Sequence, residues 1–121
     1  MNKELTKAEE EIMQVLWQIE RGVVWDVIDQ LPEPKPAYNT VSTFIRILEQ
    51  KGFLDHEAVS GKTFAYFPVV SREQYRSQVT NKLVNSYFDG SIKELVSFFM
   101  QDKNLNLADA DEIIALLKSG H

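Results

Sequence analysis

A chain of 121 residues holds one ordinary domain, or a small domain with an accessory segment. Its composition, 44% hydrophobic and 26% charged, excludes bulk disorder, and zero cysteines exclude a disulfide scaffold, thiolate metal sites and thiol catalysis. The formal charge of −5 excludes a polycation, so any nucleic-acid contact must come from basic groups gathered locally. No apolar run approaches the roughly 18 residues of a membrane-spanning helix. Met1 to Thr6 is polar, with no signal-peptide core behind it. A cytoplasmic protein without membrane insertion is the expectation.

The first element reads as a helix opened by Thr6, which with Glu9 makes a capping-box pattern. Leu5, Ala8, Ile12, Val15, Leu16 and Ile19 recur at helical spacing, and Gly22 stops the run. Glu9, Glu10 and Glu11 fall in the first turn, where they complement the helix dipole and need no catalytic role. A short second helix carries Val24, Val27, Ile28 and Leu31 on one side. Pro32-Glu33-Pro34-Lys35-Pro36 cannot continue it, because proline lacks the donor and restricts the residue before it. A third helix runs from near Ala37 to Lys51, with Gly52 placed as a C′ glycine. The period then changes to two. Phe53 to Val59 and Thr63 to Val69 flank Ser60-Gly61-Lys62 as a hairpin, and Pro68 ends the second run near an edge.

The remainder reads as helical. Ser71 and Gln74 form a second capping-box pattern, and Tyr75, Val79, Leu83 and Tyr87 repeat every four residues. Asp89-Gly90 breaks that helix, and Ser91 with Glu94 caps the next, which carries Ile92, Leu95, Val96 and Phe99. Asn106 with Asp109 opens a last helix containing Ala110, Ile113, Ile114 and Leu117. A boundary near Val70 to Arg72 divides the chain into residues 1–70 and 71–121. The 49 residues after Arg72 make a poor core alone. Exposed apolar stripes on such helices most often meet a second copy of the chain, so this half reads as a dimerisation module.

Little in the sequence points to catalysis. No GxSxG, phosphate-cradling glycine loop or HExxH is present, so an enzyme is not expected. Asp55-His56-Glu57 offers three ligand types in a row. Neighbouring side chains on a strand point to opposite faces, however, so a solvated surface is expected there and neither a metal nor a cofactor. His121 is the other histidine.

The third helix is more informative. At about 100° per residue, Val41, Phe44, Ile45 and Leu48 fall on one side and Asn39, Thr43, Arg46 and Gln50 on the other. An amide, a hydroxyl, a guanidinium and a second amide are the groups that read base edges and phosphates in a major groove. A polar outer face is also what any surface helix presents, so the order of elements must decide. Helix, helix, proline-punctuated turn, polar-faced helix and basic-tipped hairpin is the order of a winged helix-turn-helix. Lys62 at the hairpin tip would then lie near phosphates of an adjacent groove. Lys35 to Arg72 holds five basic and three acidic residues, a local +2. The fold expected is mainly α with a small β-hairpin wing, a winged-helix domain followed by a helical dimerisation segment.

Leu5-Thr6-Lys7-Ala8-Glu9 with Ile12-Met13-Gln14-Val15-Leu16-Trp17 resembles the opening helix of the BlaI/MecI/CopY penicillinase-repressor family. Asn39-Thr40-Val41-Ser42-Thr43-Phe44-Ile45 resembles its recognition helix, and Lys51-Gly52-Phe53-Leu54, Gly61-Lys62 and Tyr66-Phe67-Pro68 follow at its spacing. The resemblance implies a homodimer that binds a palindromic double-stranded operator and represses transcription. It adds Thr40 and Ser42 to the DNA-binding set of Asn39, Thr43, Arg46, Gln50 and Lys62. It implies a dimer interface that includes Tyr75, Val79, Leu83, Ile92, Leu95, Val96, Phe99, Ile113, Ile114 and Leu117. It also implies induction through a membrane sensor-protease pathway that cuts within the C-terminal helices. The chain departs from the family in three places. Ile47 stands where an arginine is usual, and Leu95-Val96-Ser97-Phe98-Phe99 has Phe98 where the cleaved bond usually has asparagine, placing that bond at Phe98-Phe99. Zero cysteines exclude the copper-responsive branch with its cysteine motif. The competing reading is a winged-helix module that binds protein, or acts as an assembly element, without reading DNA.

Overall fold

The computed structural model describes residues 4–102 together with 108, 111, 112, 115 and 116. The chain divides into two compact units, Met1–Gln74 and Tyr75–His121. The first contains α1 (Lys7–Ile19), α2 (Val24–Gln30), α3 (Tyr38–Gln50) and a two-stranded antiparallel sheet of β1 (Leu54–Ser60) and β2 (Thr63–Pro68). Three helices followed by a hairpin make a winged helix.

Both halves of the capping box at α1 are present. The Glu9 N–H donates to Thr6 Oγ1 at 3.2 Å, and the Thr6 N–H donates to Glu9 Oε1 at 3.0 Å. The helix stops at Glu20, not at Gly22 as the sequence reading had it. Glu20 adopts φ 74° and its N–H closes on the Leu16 carbonyl at 2.7 Å. Gly22 serves a different need, close backbone approach. Its N–H donates to the Tyr66 carbonyl at 3.0 Å and its carbonyl accepts from the Tyr66 N–H at 2.8 Å. A Cβ there would stand 2.9 Å from Ile19 Cδ1 and 3.0 Å from Asp26 Cβ, too near for either to stay in place. The glycine lets the α1–α2 connection pair with β2.

The core gathers one stripe from each helix. Ile12, Met13 and Leu16 of α1 meet Val24, Val27 and Ile28 of α2 and Val41, Ile45 and Leu48 of α3, all buried. Phe53, fully buried, joins the hairpin to them, and its carbonyl accepts the Val69 N–H at 2.8 Å. Gly52, at φ 87°, is the C′ glycine expected after α3. Strand pairing runs Leu54↔Pro68, His56↔Tyr66 and Ala58↔Phe64, with a bulge before the Gly61-Lys62 tip. The Trp17 indole N–H donates to the Val70 carbonyl at 2.9 Å, fastening the end of the hairpin segment to α1.

Helix α4 (Arg72–Tyr87), whose first turn belongs to the first unit and whose remainder belongs to the second, opens on Ser71, whose hydroxyl accepts the Gln74 N–H at 3.0 Å while Gln74 Oε1 accepts the Ser71 N–H. Of the four-residue repeat only Tyr75 is buried; Val79 is 42% exposed, Leu83 40% and Tyr87 78%. Val84, outside the repeat, is buried instead. A turn with positive φ at Asp89 and Gly90 leads to α5 (Ile92–Asp102), capped by Ser91. Leu95 and Val96 are buried, and the Phe98 ring lies between those of Phe88 and Phe99 with centroids 5.7 Å away on each side. Ile113, Ile114 and Leu117, with the proposed cap Asn106 and Asp109, lie outside the described residues. Among the described residues, no helix is long and apolar enough to cross a membrane.

Glu9 is the buried charged residue of this core, and Lys51 Nζ meets its carboxylate at 2.6 Å. Burial opposes the charge, but hydrogen bonds from Lys51 and from the Thr6 backbone outweigh it and hold the Glu9 carboxyl below its ordinary range. The stability this supplies is full above the ordinary glutamate range and is lost as pH falls through the lowered folded-state value. Lys51→Ala should therefore destabilise the chain by about 1–3 kcal/mol near neutral pH, by leaving a buried acceptor without its cation. Denaturant unfolding at pH 7 and at pH 4 checks this: the gap between variant and parent should narrow in acid.

Candidate nucleic-acid interface

Helix α3 presents two chemically different sides. Val41, Ile45 and Leu48 are buried against α1 and α2, while Asn39, Thr43, Arg46 and Gln50 are exposed along the opposite side. Phe44, expected on the buried side, is half-buried at its margin, because it flanks the Val41–Ile45–Leu48 stripe. Thr40 is exposed and Ser42 half-buried. The Thr43 hydroxyl donates to the Asn39 carbonyl at 2.8 Å, the back-bond a mid-helix threonine makes when no outside acceptor is present. Lys62 stands apart from these on the wing tip, exposed, beside Gly61 at φ 52°.

The local +2 is divided unevenly. Lys35 Nζ donates to the Asp29 and Leu31 carbonyls at 2.9 and 2.6 Å, capping the end of α2, and Lys51 is held by Glu9. Arg21 is paired with Glu57 on β1. Among the described residues neither Arg46 nor Lys62 has an ion-pair partner, so these two cations face solvent from α3 and the wing.

Two features escape the sequence reading. Trp25, 59% exposed in the first turn of α2, stacks at a tilt on the exposed Tyr38 that opens α3, with centroids 5.1 Å apart. Trp25 lies outside the apolar stripe of α2, and that exclusion is the sequence signal for it. The second is Glu49. His56 Nδ1 meets Glu49 Oε2, and Asp55 stands with them. The strand argument holds for Glu57, which turns to Arg21, but not for Asp55, whose carboxylate folds back to accept the His56 N–H at 2.8 Å. Tyr66 lies under this corner, its ring 5.8 Å from that of His56. Burial pushes the Tyr66 hydroxyl above its ordinary value, the Glu49 charge adds to the effect, and Arg46 opposes it.

A sequence model of the penicillinase repressor family matches residues 5–119. The chain belongs to that family. Its members are transcriptional repressors and not enzymes. The chain is also similar to the solution structure of the DNA binding domain of the repressor BlaI. That likeness has 29% sequence identity and a TM-score of 0.52, and it covers 62% of this chain and 94% of that one. Among curated proteins none matches.

The division of α3 into two sides has a direct test. Ile45→Ala should cost about 2–5 kcal/mol of stability through the cavity it leaves. Arg46→Ala, one residue on, should stay within about 0.5 kcal/mol of the parent. Thermal unfolding of the two variants side by side measures both.

Proposed function

We propose that the chain is a homodimeric transcriptional repressor that binds a palindromic operator. In this reading α3 enters a major groove with Asn39, Thr40, Ser42, Thr43, Arg46 and Gln50 directed at base edges and phosphates, and Lys62 reaches a phosphate from the wing. The observation that carries it is the exposed polar side of α3 in a winged helix that is similar to the BlaI DNA binding domain. The two solvent-facing cations on α3 and the wing neutralise few phosphates, so useful affinity needs two half-sites bound together.

The second unit supports the pairing of copies. Val79 and Leu83 lie one turn apart on α4 and are substantially exposed, with Ile92 exposed at the start of α5. Apolar side chains so arranged are what a two-fold interface covers. Tyr75, Leu95 and Val96 are already buried within a single chain and would support that surface from beneath. Induction is proposed to follow a cut at Phe98-Phe99 in α5, made by a sensor-protease pathway, which would weaken the dimer and release DNA without touching α3.

Duplexes selected from a randomised pool by the intact chain should contain an inverted repeat, and their affinity should fall steeply with salt. Arg46→Ala should weaken binding to a selected duplex by about 1–3 kcal/mol and relax the preference at one position in each half-site. Lys62→Ala should weaken all duplexes alike and reduce the salt slope. A chain that binds no duplex at low salt would instead be a protein-binding winged-helix module.

Sedimentation tests assembly. The intact chain should sediment as a dimer, and Leu83→Asp, or a protease site introduced at Phe98-Phe99 and cut, should shift it to monomer. Operator affinity should fall in step, with the fold of the first unit retained.

A further inference from the structure

The corner where α3 meets the wing holds a group that the DNA-binding reading does not use. Glu49 lies in the last turn of α3, and Asp55 and His56 are the second and third residues of β1. One ligand atom from each, a carboxylate oxygen, a carboxylate oxygen and an imidazole nitrogen, lies within 4.8 Å of the others. We propose that these three side chains bind a divalent transition-metal ion of the Zn²⁺ type, clasping the end of α3 to the base of the wing.

The ring of His56 is oriented before any ion arrives. Phe64 meets it edge-on at 4.7 Å and Tyr66 lies at 5.8 Å, and in this setting Nδ1 is the nitrogen turned to Glu49. The Asp55 carboxylate is directed by its bond to the His56 N–H. Among the described residues no lysine or arginine pairs with Glu49 or Asp55, so two carboxylates share one corner with only an imidazole between them. A cation there relieves their repulsion.

The donor set selects the ion. Zinc takes imidazole and carboxylate readily and, with three protein ligands, leaves a position for water, which the exposure of Asp55 and His56 supplies. Mg²⁺ and Ca²⁺ prefer oxygen ligands, and the absence of thiolate removes the preference for soft ions. Zinc bonds of about 2.0–2.2 Å set tetrahedral ligands roughly 3.3–3.5 Å apart, so Glu49 and His56, which touch directly, must part to admit the ion while the atoms spread within 4.8 Å draw in around it. Surface side chains do this by small torsions.

Calorimetric titration of the intact chain with ZnCl₂ tests the site, with amide NMR shifts to locate it. The expected result is saturable one-to-one binding, with the largest shifts at residues 49, 55, 56, 64 and 66. Glu49→Gln, Asp55→Asn and His56→Gln should each weaken it at least about tenfold. Glu57→Gln, on the neighbouring carboxylate, and His121→Ala, on the other histidine, should leave it unchanged. Circular dichroism of each variant shows that these surface changes leave the fold in place. Absence of saturable binding, equal competition by MgCl₂, or affinity that survives His56→Gln would overturn the proposal. None of these readouts involves DNA, so the site stands or falls separately from the operator reading.

Discussion

The geometry of the first unit rests on one buried carboxylate. Glu9 accepts the Thr6 N–H that opens α1 and, with the same oxygen, meets the Lys51 ammonium that follows α3. A charge placed in a core must be matched by donors at fixed positions, because the low-dielectric surroundings penalise any drift away from them. Glu9 therefore joins the beginning of one helix to the end of another, forty-two residues later in the chain. Val41, Ile45 and Leu48 pack α3 against α1 and α2, and the Lys51–Glu9 ion pair ties the residue after its end to the start of α1. The polar side of α3 takes its bearing from a residue that never reaches it.

Much of this unit is legible in the sequence because its signals are local. Helical spacing separates Val41, Phe44, Ile45 and Leu48 from Asn39, Thr43, Arg46 and Gln50, and the structure exposes the second set and buries the first except Phe44, which is half-buried. The Thr6–Glu9 box, the Gly52 stop and the turn at Gly61-Lys62 depend on residues a few positions apart. What was not legible depends on chain folding back on chain. Gly22 looked like a helix stop, but only the arrival of Tyr66 explains why a side chain cannot stand there. Asp55 and His56 looked divergent until α3 brought Glu49 alongside. Lys35 and Lys51 counted as surface charge, whereas one caps α2 and the other neutralises Glu9. A count of charges along the sequence cannot distinguish a lysine facing solvent from one holding the fold together.

The second unit shows the opposite limit. A repeat every four residues marked Tyr75, Val79, Leu83 and Tyr87 as one stripe, yet a single copy buries Tyr75 alone and buries Val84 from outside the stripe. Periodicity reports that apolar residues share a side of a helix; it does not report what covers them. Among the described residues of this stripe, three of the four apolar side chains stay exposed in a single copy.

The wing ends in a bulge and a two-residue tip, and from His56 to Phe64 every side chain is exposed. The buried residues that anchor the hairpin are Leu54 at its base, with Tyr66 and Ala65 reaching only to the middle of β2. Wing length is therefore a variable that can change without cost to the core. Residues added or lost at the tip would alter how far Lys62 extends while leaving α3 untouched. In a fold of this kind, the reach of the wing and the chemistry of the helix can diverge independently, one setting the footprint and the other the text that is read.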